Sequence, residues 1–407
     1  MMVASLLATT GVALLVLAGH PAAPQGSDWT PVPFSDYFHR SVPVGNWSIG
    51  MTVDTHDDTV WVANEHSGNV TVFSATNDSV VVPSITVGTS PCGILYDSAN
   101  GEVYVANAGS DNVTVIDAST HKVVVPSIAV GTEPFYAFLD GSSGRIYVVD
   151  TNSNNLTVID GATNKVVVAS IPVGGLPTGG LYDPINGEIY VDNFLSGNVT
   201  VIDAETGKAV GTGIPIGFTE PEYIALDPVN DTLFVSNVAS DNLTVISGAT
   251  NKVIVPSIAV LNSPRQLVYD SSNGEIYVPC STSERVSIVD AATQKVLPTT
   301  LLTGTNPFSI AIDPSNAHLF VGNLQSNNVT VFVLPSTNGP SNGSGGILGL
   351  GTGGTYVLVL LLAVWGTGGT LAAVYLLRRP RSPIGLHEVT PAPPASSPPA
   401  VPPPGAA

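Results

Sequence analysis

Basic residues are scarce in this chain: 12 Lys+Arg stand against 31 Asp+Glu in 407 residues, for a net charge of −19. With so few cations there is no footprint for neutralising phosphates, which excludes a nucleic-acid binder. Cysteine is nearly missing, and the pair Cys92 and Cys280 excludes a disulfide scaffold or a multi-cysteine metal site. The seven histidines, His20, His39, His56, His66, His121, His318 and His387, form no His-x-His or His-x₃-His pair. Neither a zinc nor a haem site is indicated, and no cofactor or metal is expected. Charged residues make up only 11% of the chain. Neutral polar groups therefore do the solubilising, a composition suited to a β-rich, glycosylated exterior domain.

What the chain has in quantity is a repeat. The stretch 101–117, GEVYVANAGSDNVTVID, holds two apolar runs of β-branched and aromatic residues that suit a pleated surface. Ser110-Asp111-Asn112 between them tolerates the left-handed dihedrals of a tight hairpin. The aromatic of the first run recurs as Trp61, Tyr104, Tyr147, Tyr190, Phe234, Tyr277 and Phe320, at intervals of 43 or 44 residues. Each unit carries four strand-length segments, in the second unit 91–97, 103–107, 113–117 and 123–130. Four strands in a period of roughly 40–45 residues is the arithmetic of a β-propeller blade.

The ends of the repeat say how the ring closes. Fourth strands end in an apolar residue and Gly at Val87-Gly88, Val130-Gly131, Val173-Gly174 and Ile216-Gly217, and the seventh unit lacks a fourth strand. Val44-Gly45 lies one period before Val87-Gly88, so the segment around Arg40 to Val44 is expected to complete the last blade and remove its open edge. The fold expected is all-β: a seven-bladed propeller closed by an N-terminal strand, with one C-terminal transmembrane helix.

Outside the repeat, residues 1–26 read as a secretory signal peptide, or as an uncleaved N-terminal anchor since no Lys or Arg precedes the apolar run. Residues 27–335 form the propeller. Residues 336–354 are Gly/Ser/Asn-rich, the composition of a flexible stalk. The span is placed at 355–377, which carries no charge; its last 22 residues, 356–377, would reach roughly 33 Å as a helix, enough to cross a hydrocarbon core. Arg378, Arg379 and Arg381 follow at once and put the Pro-rich tail, 378–407, on the cytoplasmic side. The resulting topology is single-pass type I in the cell membrane, with the propeller outside.

Most fixed columns have turn chemistry. Asp54, Asp97, Asp140, Asp183, Asp227, Asp270 and Asp313 end the first strands as Asx-turn residues, although a ring of seven carboxylates could also gather a cation. Ser67, Ser110, Ser153, Ser196, Ser240, Ser283 and Ser326 open the hairpins, with no adjacent His to make them nucleophiles. Cys92 and Cys280 fall on non-neighbouring units, beyond reach of a bridge, and are expected as free thiols.

The texts Tyr-Val-Ala-Asn at 104–107, Asn-Val-Thr-Val-Ile-Asp at 112–117 and Ile-Ala-Val-Gly at 128–131 resemble the YVTN-family β-propeller repeat of archaeal surface-layer-type and bacterial secreted proteins. The resemblance covers all seven units. It implies a cell-surface propeller and brings no catalytic residues with it. The sixth unit departs most, with Pro279-Cys280 in place of Ala-Asn, Arg285 in place of the hairpin Asn, and Leu261 in place of the preceding Gly.

Ten Asn-x-Ser/Thr sequons are present. Six lie in the repeat's own hairpin text, while Asn46, Asn77, Asn230 and Asn342 owe nothing to it and are the better sugar acceptors. Positions after the inner-strand prolines change chemistry from unit to unit. With the neighbouring loop residues they give a candidate binding surface at the channel mouth: Trp47, Glu133, Phe135, Glu222, Arg265 and Phe308. Glu222 and Arg265, on adjacent inner strands, could instead satisfy each other, and the whole set could be drifting surface. The function expected is a non-catalytic structural, adhesion or ligand-binding module whose partners are envelope or surface proteins and glycans. The rival is a secreted enzyme resembling propeller lactonases or lyases, with a carboxylate or metal site seeded by Glu133, Glu220 and Glu222.

Overall fold

The computed structural model describes residues 39–217 and 220–334, together with Val357–Leu358 and Tyr375–Leu376. The chain divides into two compact units. The first, Thr30–Gly339, holds the repeats. In the second, Met1–Trp29 with Pro340–Ala407, the four described residues pair as short antiparallel strands, Val357 with Leu376 and Leu358 with Tyr375. Among the described residues no helix is long and apolar enough to cross a membrane. The signal peptide, the stalk, the tail and, those four residues apart, the span at 355–377 lie outside the described residues.

The repeats build seven antiparallel sheets. The second is typical, with strands Pro91–Asp97, Glu102–Asn107, Asn112–Asp117 and Lys122–Ala129 hydrogen-bonded in that order. The first strand of every sheet packs against its counterparts in the two flanking sheets, the seventh against the first included, so the sheets form a ring around a channel. The seventh sheet takes its outermost strand from the N-terminal side: His39–Pro43 pairs antiparallel with Asn328–Val333, His39 opposite Phe332 and Pro43 opposite Asn328. Arg40 reaches on to Asp78 of the first blade at 2.5 Å, and His318 Nδ1 lies 2.7 Å from the Ala75 carbonyl. Both contacts cross the seam between the seventh blade and the first.

Two blades deviate from the pattern. In the fourth, the outer strand is broken into Lys208–Ala209 and Ile214–Pro215 around Gly211 and Gly213, both with positive φ. In the sixth, the inner strand is reduced to Val268–Asp270, preceded by an isolated bridge from Pro264 to Cys280.

The aromatic column forms the core. Trp61, Tyr104, Tyr147, Tyr190, Phe234, Tyr277 and Phe320 are all buried between blades, each contributing about 2–3 kcal/mol of apolar transfer. Some also latch neighbouring blades: the Tyr104 hydroxyl lies 2.8 Å from Asn164 Oδ1, and that of Tyr190 2.7 Å from Asn251 Oδ1. The seven column aspartates make their turns as expected, each Oδ1 accepting the N–H two residues on at 2.8–2.9 Å. Six of the hairpin serines accept a backbone N–H from the loop that enters their own blade, from Ser67 under Asn46 to Ser326 under Thr305. The recurring glycine that closes the fourth-strand text is needed for close approach. A Cβ at Gly88 or Gly174 would stand 2.6 or 2.5 Å from Cγ of Asn107 or Asn193.

Candidate functional site

All inner strands start at the same end of the channel, so the residues that open them share one mouth. Pro91, Pro134, Pro177, Pro221 and Pro307 begin their strands, where the missing donor matters least. Before each lies a residue in the left-handed region, including Glu133 at φ 54° and Glu220 at 68°, and Trp47 at 60° holds the same place before Ser48 in the first blade. This turn aims the next side chains inward.

Three of the six mouth residues come together. Arg265 Nη1 donates to both carboxylate oxygens of Glu222, at 3.0 and 2.9 Å. The guanidinium carbon also sits 5.2 Å from the centre of the Phe308 ring, and Arg265 Nε donates to Ser281 Oγ at 3.2 Å. Glu222 is only 5% exposed. Burial pushes its pKa up and Arg265 works against that shift. The other three residues turn to other partners. Trp47 stacks on His66 with centroids 4.1 Å apart, Glu133 accepts a hydrogen bond from Asn152 Nδ2, and Phe135 is half-buried beside the central cluster. The mouth is thus partly closed by its own side chains. Glu222 and Arg265 satisfy each other, one of the readings open from sequence.

One layer deeper, two residues after the prolines, stand Gly93, Tyr136, Gly179, Tyr223, Gln266 and Ser309, with Gly50 in the first blade. Tyr136 and Tyr223 meet edge to face at 5.6 Å, and Tyr223 meets Phe308 in the same way at 6.0 Å. Tyr136 hydrogen-bonds with Gln266, whose Oε1 accepts the Ile310 N–H at 3.2 Å. Beside this aromatic plug, where blades one and two carry glycine, the channel opens into a cavity of about 300 Å³. Ile49, Met51, Ile94, Phe138, Tyr136 and Tyr223 are among its lining residues.

Asp192 adjoins this layer. Its column holds Ala63, Ala106, Val149, Ser236, Pro279 and Gly322 in the other blades, so the carboxyl belongs to blade four alone. Oδ1 accepts from Thr178 Oγ1 at 2.6 Å and from the Gly179 N–H at 3.0 Å, whereas Oδ2 is buried without a partner. A Cβ on Gly179 would stand 2.6 Å from that Oδ2 and 3.1 Å from Tyr223 Cδ1, so the glycine makes room for the acid. Burial, with Glu222 adding, raises the Asp192 pKa well above the carboxylate range.

Asp192, Tyr136, Tyr223 and Gln266 are absent from the site read from sequence. The signal that finds them is departure from the repeat in two further columns. Cys92 and Cys280 are buried free thiols, pushed up by burial. Among the described residues no three of His, Cys, Asp and Glu gather as a metal group. Of the sugar acceptors, Asn46, Asn77 and Asn230 are exposed and Asn342 lies outside the described residues. The hairpin sequons are half-buried, or buried in the case of Asn242. Asn112, Asn198 and Asn328 each accept a hydrogen bond from the asparagine across the hairpin.

No family model and no curated protein matches the chain. Among solved structures, hydrazine synthase of Kuenenia stuttgartiensis aligns with a TM-score of 0.62 at 20% identity, covering 77% of this chain and 100% of that chain. The likeness is one of fold alone.

Proposed function

We propose that the chain is a YVTN-type propeller of the cell surface, held to the membrane by the span at 355–377 and acting as a non-catalytic adhesion or ligand-binding module. One observation carries this reading. The columns that stay fixed are used up in turns and latches between blades, and the chemistry that varies is gathered at one end of the channel. A constant frame with a variable end is how a scaffold presents a binding surface. The lactonase- or lyase-like alternative relies on Glu133, Glu220 and Glu222, yet Glu222 is committed to Arg265 and Glu133 to Asn152. The uncharged span followed by Arg378, Arg379 and Arg381 supports a type I arrangement. Asn46, Asn77, Asn230 and Asn342 are the sites at which sugar would be carried outside.

Protease added to intact cells tests the arrangement. The propeller should be shed as a fragment ending within 336–354, with the tail retained by the cell. A propeller that survives such treatment while the tail is cut would reverse the orientation.

A further inference from the structure

The seam between blades three and four lacks the latch that closes the seams on either side of it. Between blades two and three, Glu102 Oε2 accepts from the Tyr104 hydroxyl at 3.0 Å and from Asn164 Nδ2 at 2.9 Å. Between blades four and five, Glu188 Oε2 accepts from Tyr190 and Asn251 in the same way, at 3.0 and 2.8 Å. The second strand of blade three opens instead with Arg145, and blade four has Gly207 where blades three and five have the asparagine. Tyr147 is kept, only 1% exposed, so the carboxylate and the carboxamide are what this seam has given up. In their stead there is a pocket of about 220 Å³, with Arg145, Tyr147 and Gly207 among its lining residues and Val158, Val168 and Ile171 as apolar wall. Arg145 hydrogen-bonds with the Tyr147 hydroxyl and, among the described residues, has no carboxylate partner. Its ladder neighbours Asp140 and Asp160 accept from Ser142, Ser143 and Thr163 in their own turns.

We propose that this pocket binds a small organic carboxylate, its oxygens on the Arg145 guanidinium and the Tyr147 hydroxyl and its apolar body against Val158, Val168 and Ile171. The ligand takes the part that Glu102 and Glu188 play in the flanking seams, accepting from the tyrosine hydroxyl. The arginine that replaces those acids supplies a planar fork of donors matched to a carboxylate. Gly207 leaves the place of the asparagine open, since even a Cβ there would meet only Ile171 Cδ1, at 3.6 Å. Glu205, exposed at the same pocket, disfavours a second negative charge, which selects a monoanion over phosphate. The volume is below the usual span of ligand pockets, which limits the body to about five carbons.

Arg145 pairs with Asp140 at one end of its strand and Asp150 with Pro134 at the other, so the pocket lies away from the channel mouth and the inference is independent of how that mouth is read. The test is titration calorimetry of the full chain with isovalerate and with isovaleramide, a neutral probe of the same shape. Isovalerate is expected to bind about tenfold more tightly or better. Arg145→Gln is expected to abolish that preference while the protein stays folded by circular dichroism. Gly207→Asn should remove isovalerate binding by filling the pocket. The backbone there suits the change, because Asn164 and Asn251 hold the same left-handed conformation at φ 54° that Gly207 holds at 66°. Equal affinity for the two probes, no binding of either at millimolar concentration, or a preference that survives in folded Arg145→Gln would overturn the proposal. Should Arg145→Gln fail to fold, Gly207→Asn decides: lost isovalerate binding supports the pocket, and unaltered binding places the ligand elsewhere and overturns it.

Discussion

Asp150 and Cys280 are the two departures from the asparagine that ends the second strand of the other blades, and each has a measurable consequence. The column asparagines donate Nδ2 to the hairpin asparagine and to a buried threonine, as Asn107 does to Asn112 Oδ1 at 2.9 Å and Thr114 Oγ1 at 3.0 Å. Asp150 has no N–H to give. It accepts from Thr157 at 2.6 Å, and Asn155 Oδ1 is left buried without a partner. Burial pushes the Asp150 carboxyl up to about 6. Because the folded value lies above the unfolded one, its favourable contribution is complete below about pH 4 and is lost as the pH rises through 6. The difference amounts to about 3 kcal/mol at neutral pH. Asp150→Asn should therefore raise stability at pH 7 by about 1–3 kcal/mol and flatten the decline between pH 4 and 7, as read by urea unfolding at several pH values. A variant less stable than the parent at pH 7 would contradict this reading. Cys280 stands opposite Leu261, the one fourth-strand ending at which a side chain replaces the glycine opposite the asparagine. The shorter thiol leaves room for the Leu261 Cβ that an asparagine Cγ would meet at under 3 Å, as at Gly88 and Gly174. Cys280→Asn alone should cost about 1–3 kcal/mol by overpacking, and adding Leu261→Gly should recover most of it. Additive effects in that double-mutant cycle would show that the two positions are not coupled.

At the scale of the strand, closure is the point on which stability depends most. Without His39–Pro43 the seventh blade would end at Asn328–Val333 with an unpaired edge, and the Arg40 to Asp78 contact across the seam would go with it. Deletion of residues 27–45 should produce aggregation or a large fall in melting temperature, and a truncated propeller that melts like the parent would refute the role of this strand. This feature was legible in the sequence because Val44-Gly45 keeps the register of the repeat. The four-stranded unit and its Asx turns were legible for the same reason, since a local rule written seven times is hard to miss. The broken outer strand of blade four and the shortened inner strand of blade six were not. Their causes, two glycines at positive φ and, opposite the start of the inner segment, a proline at 279 that has no N–H to give to the ladder, act where the repeat text lapses.

Over the whole molecule, the mouth was legible as a location but not as an arrangement. The residues after each proline could be listed from the repeat alone. Which of them meet depends on reach across the channel, and that is why Arg265 finds both Glu222 and Phe308 while Trp47 turns to His66. Asp192 escaped because it sits in a second-strand column, a layer that only the assembled ring brings against Tyr223. The same arrangement separates residues that hold the mouth shut from residues free to meet a partner. Glu222→Ala leaves Arg265 without its buried partner and should cost about 3–5 kcal/mol in stability; a thermal melt checks this, and an unshifted melt would count against a structural role for the pair. Trp47 and Glu133, half-buried at the rim, can be exchanged without opening the plug. The most direct test of a surface-binding mouth is therefore the attachment of the full chain to cell-envelope fractions, compared with Trp47→Ala/Glu133→Ala. The account predicts at least a tenfold loss of attachment in a double variant that melts like the parent, and undiminished attachment of that folded variant would contradict it.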